Sequence, residues 1–469
     1  MGSAVRRVPS TGAPARARHP VQVSDGAGWF ALAGASAIAG GLLLGSRWCV
    51  LAGGVAAGGV AVWSSVAAPM WTILGWVALR PLFELGPTYD AGPDLRWSVD
   101  ALLVAAIARW TWMQRASLQR PFASVLAAVT FAGAACLSAL GSGDLGHSLG
   151  QTRHLVLAAV LFGVGDQLGR HDADCFRRVA LAVVASGVLC AIPAIAQFVG
   201  AVPLPPEMIE SGLANGDLRP PGPYPLPTVL ATHLTIAAAL LLVLVPQAWH
   251  RRRSSPIAVA GVLVAAAFVW VLLANKSRSP IAGLFAAAGT FTIVVWRWRG
   301  AIAVVCAVVL ALATIDTASL RLDEFGPNVN GGATTDSFAW RTEYWGDNLP
   351  RLAEQPVTGL GLGRVEQLHV LEQPPHSVYV QTAVEMGAAG LMALFAFIVF
   401  LARDLALAAR GPNRGPTFRA ALISALLCGA YAFIGSFENL ITQLSTTGPL
   451  ALVTGVALGA TVGRRASVS

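Results

Sequence analysis

The chain has 469 residues, of which 55% are hydrophobic and only 12% charged, with a mean hydropathy of +0.63. A soluble globular domain carries about 25% charged residues because its surface must be wet, so a soluble enzyme or binding module is excluded. The net charge of +8 does not mark a nucleic-acid-binding protein, because the basic residues sit in short clusters between apolar runs, as at Arg251-Arg252-Arg253, Arg297 with Arg299, and Arg403 through Arg419.

In chain order, residues 1–27 are rich in Arg, Pro, Ser and Gly. They cannot bury enough apolar surface to fold and read as a disordered, basic cytoplasmic tail. A cleaved signal peptide is the rival reading, and the long basic lead-in weakens it. Apolar runs follow at 28–46, 48–68, 70–85, 97–113, 121–140, 153–169, 176–199, 227–248, 255–274, 279–296, 300–316, 377–402, 418–436 and 446–463. At about 20 residues per crossing these predict an all-α integral membrane protein of about 12–14 transmembrane helices. The run at 70–85 is short and ends in Arg80-Pro81 with Glu84, so a broken or re-entrant segment is expected there.

With the N-terminus inside, about two thirds of the 32 basic residues fall in cytoplasmic segments. That bias orients both termini to the cytoplasm. The chain then divides into the tail 1–27, helices over 28–316, a large extracytoplasmic loop over 317–376, C-terminal helices over 377–463 and a short cytoplasmic tail over 464–469. Long loops inside compact folds are usually functional. Within this one, 336–353 reads as an amphipathic helix capped by Asp336 or Ser337, with Trp340, Tyr344 and Trp345 toward membrane or core. The six cysteines lie in or beside apolar runs and none falls in the loop, so neither a disulfide framework nor a zinc spacing can be read.

Four features converge on the outer face. Lys276 and Arg278, in Asn-Lys-Ser-Arg-Ser-Pro, put two cations at the mouth of a helix pair. A phosphate would complement them, since guanidinium presents paired donors to its oxygens. Snorkelling to the interface is the bland alternative, but cations are disfavoured on this side. Arg341 lies in Arg-Thr-Glu-Tyr-Trp, where pairing with Glu343 or Asp347 is an equally local account. His376 stands where the loop re-enters the membrane, and a histidine there can take or give a proton at neutral pH. A purely structural histidine is the other reading. Arg219 precedes Pro-Pro-Gly-Pro-Tyr, a rigid turn that could bring it to the same face. Asp100, Glu438 and Asn439 are further polar groups near outer helix ends; intramembrane carboxylates are functional suspects, and pairing of Asp100 with Arg80 or Arg96 accounts for it equally well.

Taken together these residues resemble the O-antigen ligase and polymerase superfamily of bacterial membrane glycosyltransferases, over roughly 200 to 400. The resemblance rests on Ser277-Arg278 at a helix start, Arg341 with Trp345 one turn on, and Pro356, Gly359, Gly361 and Gly363 ahead of His376 and Tyr379. It continues through Glu385, Gly387 and Gly390-Leu391, with the Arg219-to-Ala231 stretch upstream. The chain departs from the family pattern at Ser377 and at Pro227, where Asn is common. The resemblance implies a fold like the GT-C class. It also implies transfer of a glycan from a polyprenyl (undecaprenyl or decaprenyl) diphosphate carrier to an acceptor hydroxyl, outside the bacterial cytoplasmic membrane. No nucleotide sugar, divalent metal or other cofactor is implied, and no Asp-x-Asp cluster lies in the outer loops. His376, Arg278 and Arg341 would be catalytic; Arg219, Lys276, Trp345 and Tyr379 would bind substrate. The implied partners are the lipid-linked donor, a glycan, lipid or cell-wall acceptor, and membrane lipids, beside a flippase and a chain-length regulator.

Polymerase and ligase differ only in the acceptor, and the motifs leave that open. A transporter or flippase of a lipid-linked glycan is the alternative from another class. Such folds often show repeated halves and midplane charges, whereas this chain has one asymmetric loop and charges at the outer helix ends. A non-catalytic scaffold of envelope synthesis is a third reading.

Overall fold

In the computed structural model, the described residues are 67–84, 95–172, 174–204, 219–251, 256–302, 305, 337–368, 375–410 and 415–468. The chain divides into the units Met1–Pro69 and Met70–Ser469. Apart from residues 67–69, the described residues belong to the second. The runs expected at 28–46 and 48–68, nearly all of 300–316, the tail 1–27 and the cap at Asp336 lie outside the described residues.

Where the sequence is described, each apolar run forms a helix. They are α1 (Pro69–Leu79), α2 (Arg96–Gln114), α3 (Ala123–Leu140), α4 (Leu145–His171), α5 (Cys175–Phe198), α6 (Pro227–Arg251), α7 (Pro256–Asn275) and α8 (Arg278–Trp296). The large loop contributes α9 (Ser337–Asn348), a 3-10 turn at Leu349–Ala353 and the short α10 (Arg364–Leu368). After it come α11 (Val378–Ala408), α12 (Pro416–Ile434) and α13 (Leu444–Val468). As expected, the segment at 70–85 is broken: α1 gives way to a 3-10 turn over Arg80–Glu84. Eight of the described helices (α3, α5, α6, α7, α8, α11, α12 and α13) are long and apolar enough to cross a membrane. The chain is an all-α integral membrane protein. Helices α2 and α4 form where expected but stand outside those eight, since each carries charge within it: Asp100 and Arg109 in one, Arg153 and Asp166 in the other.

Helix α6 is the hub. Its residues from Val229 to Leu244 are almost all buried, with α5, α7, α8, α12 and α13 packed around it. A helix apolar on every side is stable only when surrounded in this way or by lipid. By contrast α7 exposes Ile257, Val259, Val262 and Leu263. In an aqueous protein that stripe would be a liability; facing hydrocarbon it costs nothing.

The closest helix contact is between α4 and α13. Gly165 and Gly169 meet the α13 backbone around Leu452 and Val456, while Gly455 and Gly459 meet the α4 carbonyls of Phe162 and Asp166. Lipid tails are as apolar as side chains, so membrane helices associate through close packing, and small residues four apart let two backbones approach. These glycines recur at that spacing on both helices.

A buried charge network holds α1 to α2 and α4. Arg80, 1% exposed, donates to Glu84 at 2.6 Å and to Asp100 at 3.0 Å. Asp100 also accepts from the Trp76 indole at 3.1 Å, and Arg96 reaches Glu84 at 3.0 Å. Arg153 lies 3.8 Å from Asp100 and stacks over Trp97. Of the two partners expected for Asp100, Arg80 is the one that takes it; Arg96 takes Glu84. Arg80→Ala takes the fully buried cation from two buried carboxylates, leaving Glu84 with Arg96 and Asp100 with Trp76 and Arg153. Removing one partner of a buried pair costs up to about 3–5 kcal/mol. A lowered thermal midpoint of the purified variant, measured by tryptophan fluorescence, is the expected result; an unchanged midpoint would show the network to be inert.

Candidate functional site

The site forms at the end of the bundle where α7 turns into α8. Helix α7 ends at Asn275, Lys276 adopts a left-handed backbone (φ 55°), and α8 begins at Arg278. The turn is held from both sides. The Asn275 amide donates to the Pro220 carbonyl at 3.0 Å, and the Ser277 hydroxyl donates to the Asn275 side-chain oxygen. Thr235 of α6 donates to the Pro280 carbonyl at 3.1 Å. Arg278 thus occupies the first residue of a 19-residue helix. A helix N-terminus carries partial positive charge, so a cation placed there is unfavourable until an anion joins it.

Arg219 leads into the turn that supports Asn275. Gly222 (φ 62°) has both backbone groups bonded to Gln197, donating at 2.9 Å and accepting at 3.2 Å. A side chain there would press on the Cys190 carbonyl. The expected rigid Pro-Gly turn is therefore present and places half-buried Arg219 beside the Asn275–Arg278 corner. Pro227, where the family commonly has Asn, is the first residue of α6, a position proline suits because its missing N–H has no partner to lose.

The stretch from Pro356 to Gly363 wraps the start of α11. Gly387 breaks that helix with φ 63°, and the freed backbone is taken up by the glycine stretch. Ala388 and Ala389 donate to the carbonyls of Pro356 and Val357, while Leu360 and Gly361 donate to those of Val384 and Glu385. A side chain at Gly359 would overlap the Glu385 carbonyl and one at Gly387 that of Val357, so both positions need glycine. Glu385, fully buried, accepts from the Val365 N–H at 3.0 Å and from the Gln381 amide at 2.8 Å.

This frame fixes His376 in front of α11. Ser377 caps the helix by accepting from the Val380 N–H, a task Asn would do equally well. The Val378 N–H donates to the Gly435 carbonyl at 2.7 Å, pinning the start of α11 to the end of α12. His376 itself has φ 49°, a conformation that costs about 1–3 kcal/mol for a non-glycine residue and persists only where the surroundings impose it. Trp345 donates from its indole to the Pro375 carbonyl at 2.7 Å, and the Tyr379 hydroxyl donates to the Ala432 carbonyl at 3.2 Å. Trp345 is thus tied to backbone next to the histidine, and Tyr379 to the last turn of α12.

The carboxylate of Glu438 joins the pieces. It lies 3.6 Å from the Arg341 guanidinium and 4.0 Å from His376 Nδ1, and is itself buried. Arg341, for which pairing with Glu343 or Asp347 is the local account, also has the distant acid Glu438 beside it. Arg278 reaches the same end of the bundle because α8 packs on α12 there, with Gly283 against Ile434. In α9, Tyr344 is buried and Trp345 half-buried, as the amphipathic pattern predicts. Burial pushes the Tyr344 hydroxyl up to about 12. The Glu438 link escapes sequence reading: nothing local marks this acid as the partner of residues from two other segments.

The family model described as O-antigen ligase matches residues 263–395. Over that stretch the chain is similar to O-antigen ligases. The matched stretch runs from within α7 into α11 and contains Lys276, Arg278, Arg341, Trp345, His376 and Tyr379. Arg219 and Glu438, which the fold adds to the same end, lie outside it. No curated protein matches the chain. That similarity, in a multi-pass membrane protein, supports a glycosyltransferase-like role in polysaccharide biosynthesis. The family match implies, in general, a lipid-linked glycan donor and a glycan acceptor as partners. Among the described residues, no three His, Cys, Asp or Glu side chains gather as a metal-ion site would require.

Proposed function

We propose that this protein transfers a glycan from a polyprenyl diphosphate carrier to an acceptor hydroxyl, at the extracytoplasmic face of the bacterial cytoplasmic membrane. The observation that carries the reading is the convergence of His376 and Arg341 on one buried carboxylate, Glu438, inside and beside the stretch similar to O-antigen ligases. The basic clusters at the opposite helix ends support the orientation.

The acceptor O–H gives its proton to His376, and its oxygen attacks the anomeric carbon. The bond from that carbon to the diphosphate breaks, and the electron pair departs on the diphosphate oxygen. With Nδ1 turned to Glu438, Nε2 is the nitrogen assigned the proton. Glu438 orients the ring and stabilises the imidazolium that forms, as a buried carboxylate does in catalytic triads. The departing diphosphate needs fixed positive charge. Arg278, at a helix N-terminus, and Arg341 supply it in place of a divalent metal, assisted by Lys276 and Arg219. Trp345 and Tyr379 hold the His376 segment in register from their bonds to Pro375 and Ala432.

Removing one fixed donor aimed at developing charge typically costs about two to three powers of ten in rate. In liposomes holding a polyprenyl-diphosphate oligosaccharide, an acceptor and EDTA, Arg278→Ala and Arg341→Ala are each expected to slow transfer by that amount. Wild-type rates in both folded variants would remove the arginines from the mechanism. Loss of wild-type activity in EDTA, restored by a divalent cation, would overturn the metal-free step.

A further inference from the structure

A recess opens on the same end of the bundle. It is an open depression of about 600 Å³ lined by Asp144, His147, Arg364, Glu366 and Gln367. Two segments distant in sequence build it. Asp144 caps α4 by accepting from the His147 N–H at 3.0 Å. From the other side the Gln367 amide donates to Asp144 at 3.4 Å, and Arg364, also bonded to Gln367, lies 3.9 Å from the same carboxylate. The approach is close because Gly363 has φ 79° and no side chain; a Cβ there would strike the His147 ring.

The lining selects a class of ligand. All five side chains are polar, so a prenyl tail or an apolar peptide finds no surface to bury. Two carboxylates face one guanidinium, which disfavours a phosphate. What remains is a neutral ligand rich in vicinal hydroxyls, to which carboxylate, guanidinium and amide groups each offer paired donors or acceptors. Burial raises the Glu366 carboxyl above its ordinary value, while His147 and His376 lower it.

We infer that this recess holds sugar rings of the glycan, a subsite that rests on the transfer reading above. The sugar would belong either to the donor or to the acceptor. The test is saturation-transfer NMR on nanodisc-embedded protein. The probe is the delipidated oligosaccharide released by mild acid from the cell's own polyprenyl-diphosphate pool. Wild type and His376→Ala are expected to saturate the sugar protons. Gln367→Ala and Arg364→Ala are expected to weaken binding by about tenfold, the scale of one lost charge-assisted hydrogen bond. Thermal midpoints within a few degrees of wild type show that the variants are folded; Gln367→Ala, the milder change, serves if Arg364→Ala is not. Displacement of the probe by intact lipid-linked donor places the donor sugar in the recess. Displacement by acceptor polysaccharide alone places the acceptor there. Equal binding by all folded variants, or no binding by wild type, overturns the subsite. Binding that depends on Gln367 in a protein that transfers nothing would leave the recess standing and sink the transfer reading.

Discussion

His376→Ala should lower the rate of glycan transfer by about two to four powers of ten, the usual worth of a positioned general base. The fold should survive, because the start of α11 is pinned independently of the imidazole by the Ser377 cap and by the Val378 bond to Gly435. Alanine keeps a Cβ at φ 49°, so the backbone strain at this position persists and stability should change little. Glu438→Gln, which keeps the side-chain shape and removes the charge, is expected to fall between wild type and His376→Ala, because the imidazolium then forms without its carboxylate. A rate series of wild type, Glu438→Gln and His376→Ala at saturating donor checks this order. Full activity in His376→Ala would move the proton to another group and leave the histidine with a structural part.

The second large effect concerns folding. Gly459→Leu should prevent α4 and α13 from meeting, since even a methyl at position 459 would overlap the Asp166 carbonyl oxygen. Overpacking a core typically costs about 1–3 kcal/mol when side chains can shift. Here the obstacle is backbone on both sides, so the cost should lie at or beyond the top of that range. Gly459→Ala should be milder, and a leucine at Gly429, where nothing lies close, should be tolerated. Yield of monodisperse protein in detergent and the thermal midpoint report all three. Equal behaviour of Gly459→Leu and Gly429→Leu would mean that the close approach contributes little.

Length and polarity alone place the described helices, because hydrocarbon tolerates only spans whose backbone bonds are internally satisfied. Local chemistry carried the break at Arg80-Pro81 to the right place, whereas Pro227 and Ser377, read only as departures from the family pattern, open α6 and cap α11. What could not be read depends on partners distant in the chain. Gly455, Gly459 and Gly463 stand four residues apart, yet nothing in their own segment says that α4 is the helix they meet. Glu438 could be noted as a polar group near a helix end, but its reach to Arg341 and His376 is a product of folding. The recess at Asp144 and Glu366 needs two loops brought together and has no local signature beyond the positive-φ glycines at 361 and 363. The break at Gly387 falls in the same class, since the carbonyls that make it tolerable come from Pro356 and Val357.

The most direct measurement follows both products in one vessel. Purified wild-type protein in nanodiscs receives a polyprenyl-diphosphate oligosaccharide and an acceptor polysaccharide in EDTA. Extended glycan and released polyprenyl diphosphate are then quantified together by mass spectrometry. The expected result is equal molar appearance of the two, abolished in His376→Ala and in Arg341→Ala. The contradicting result is no product from wild type with any donor offered, while the same protein in sealed vesicles carries lipid-linked glycan across the bilayer.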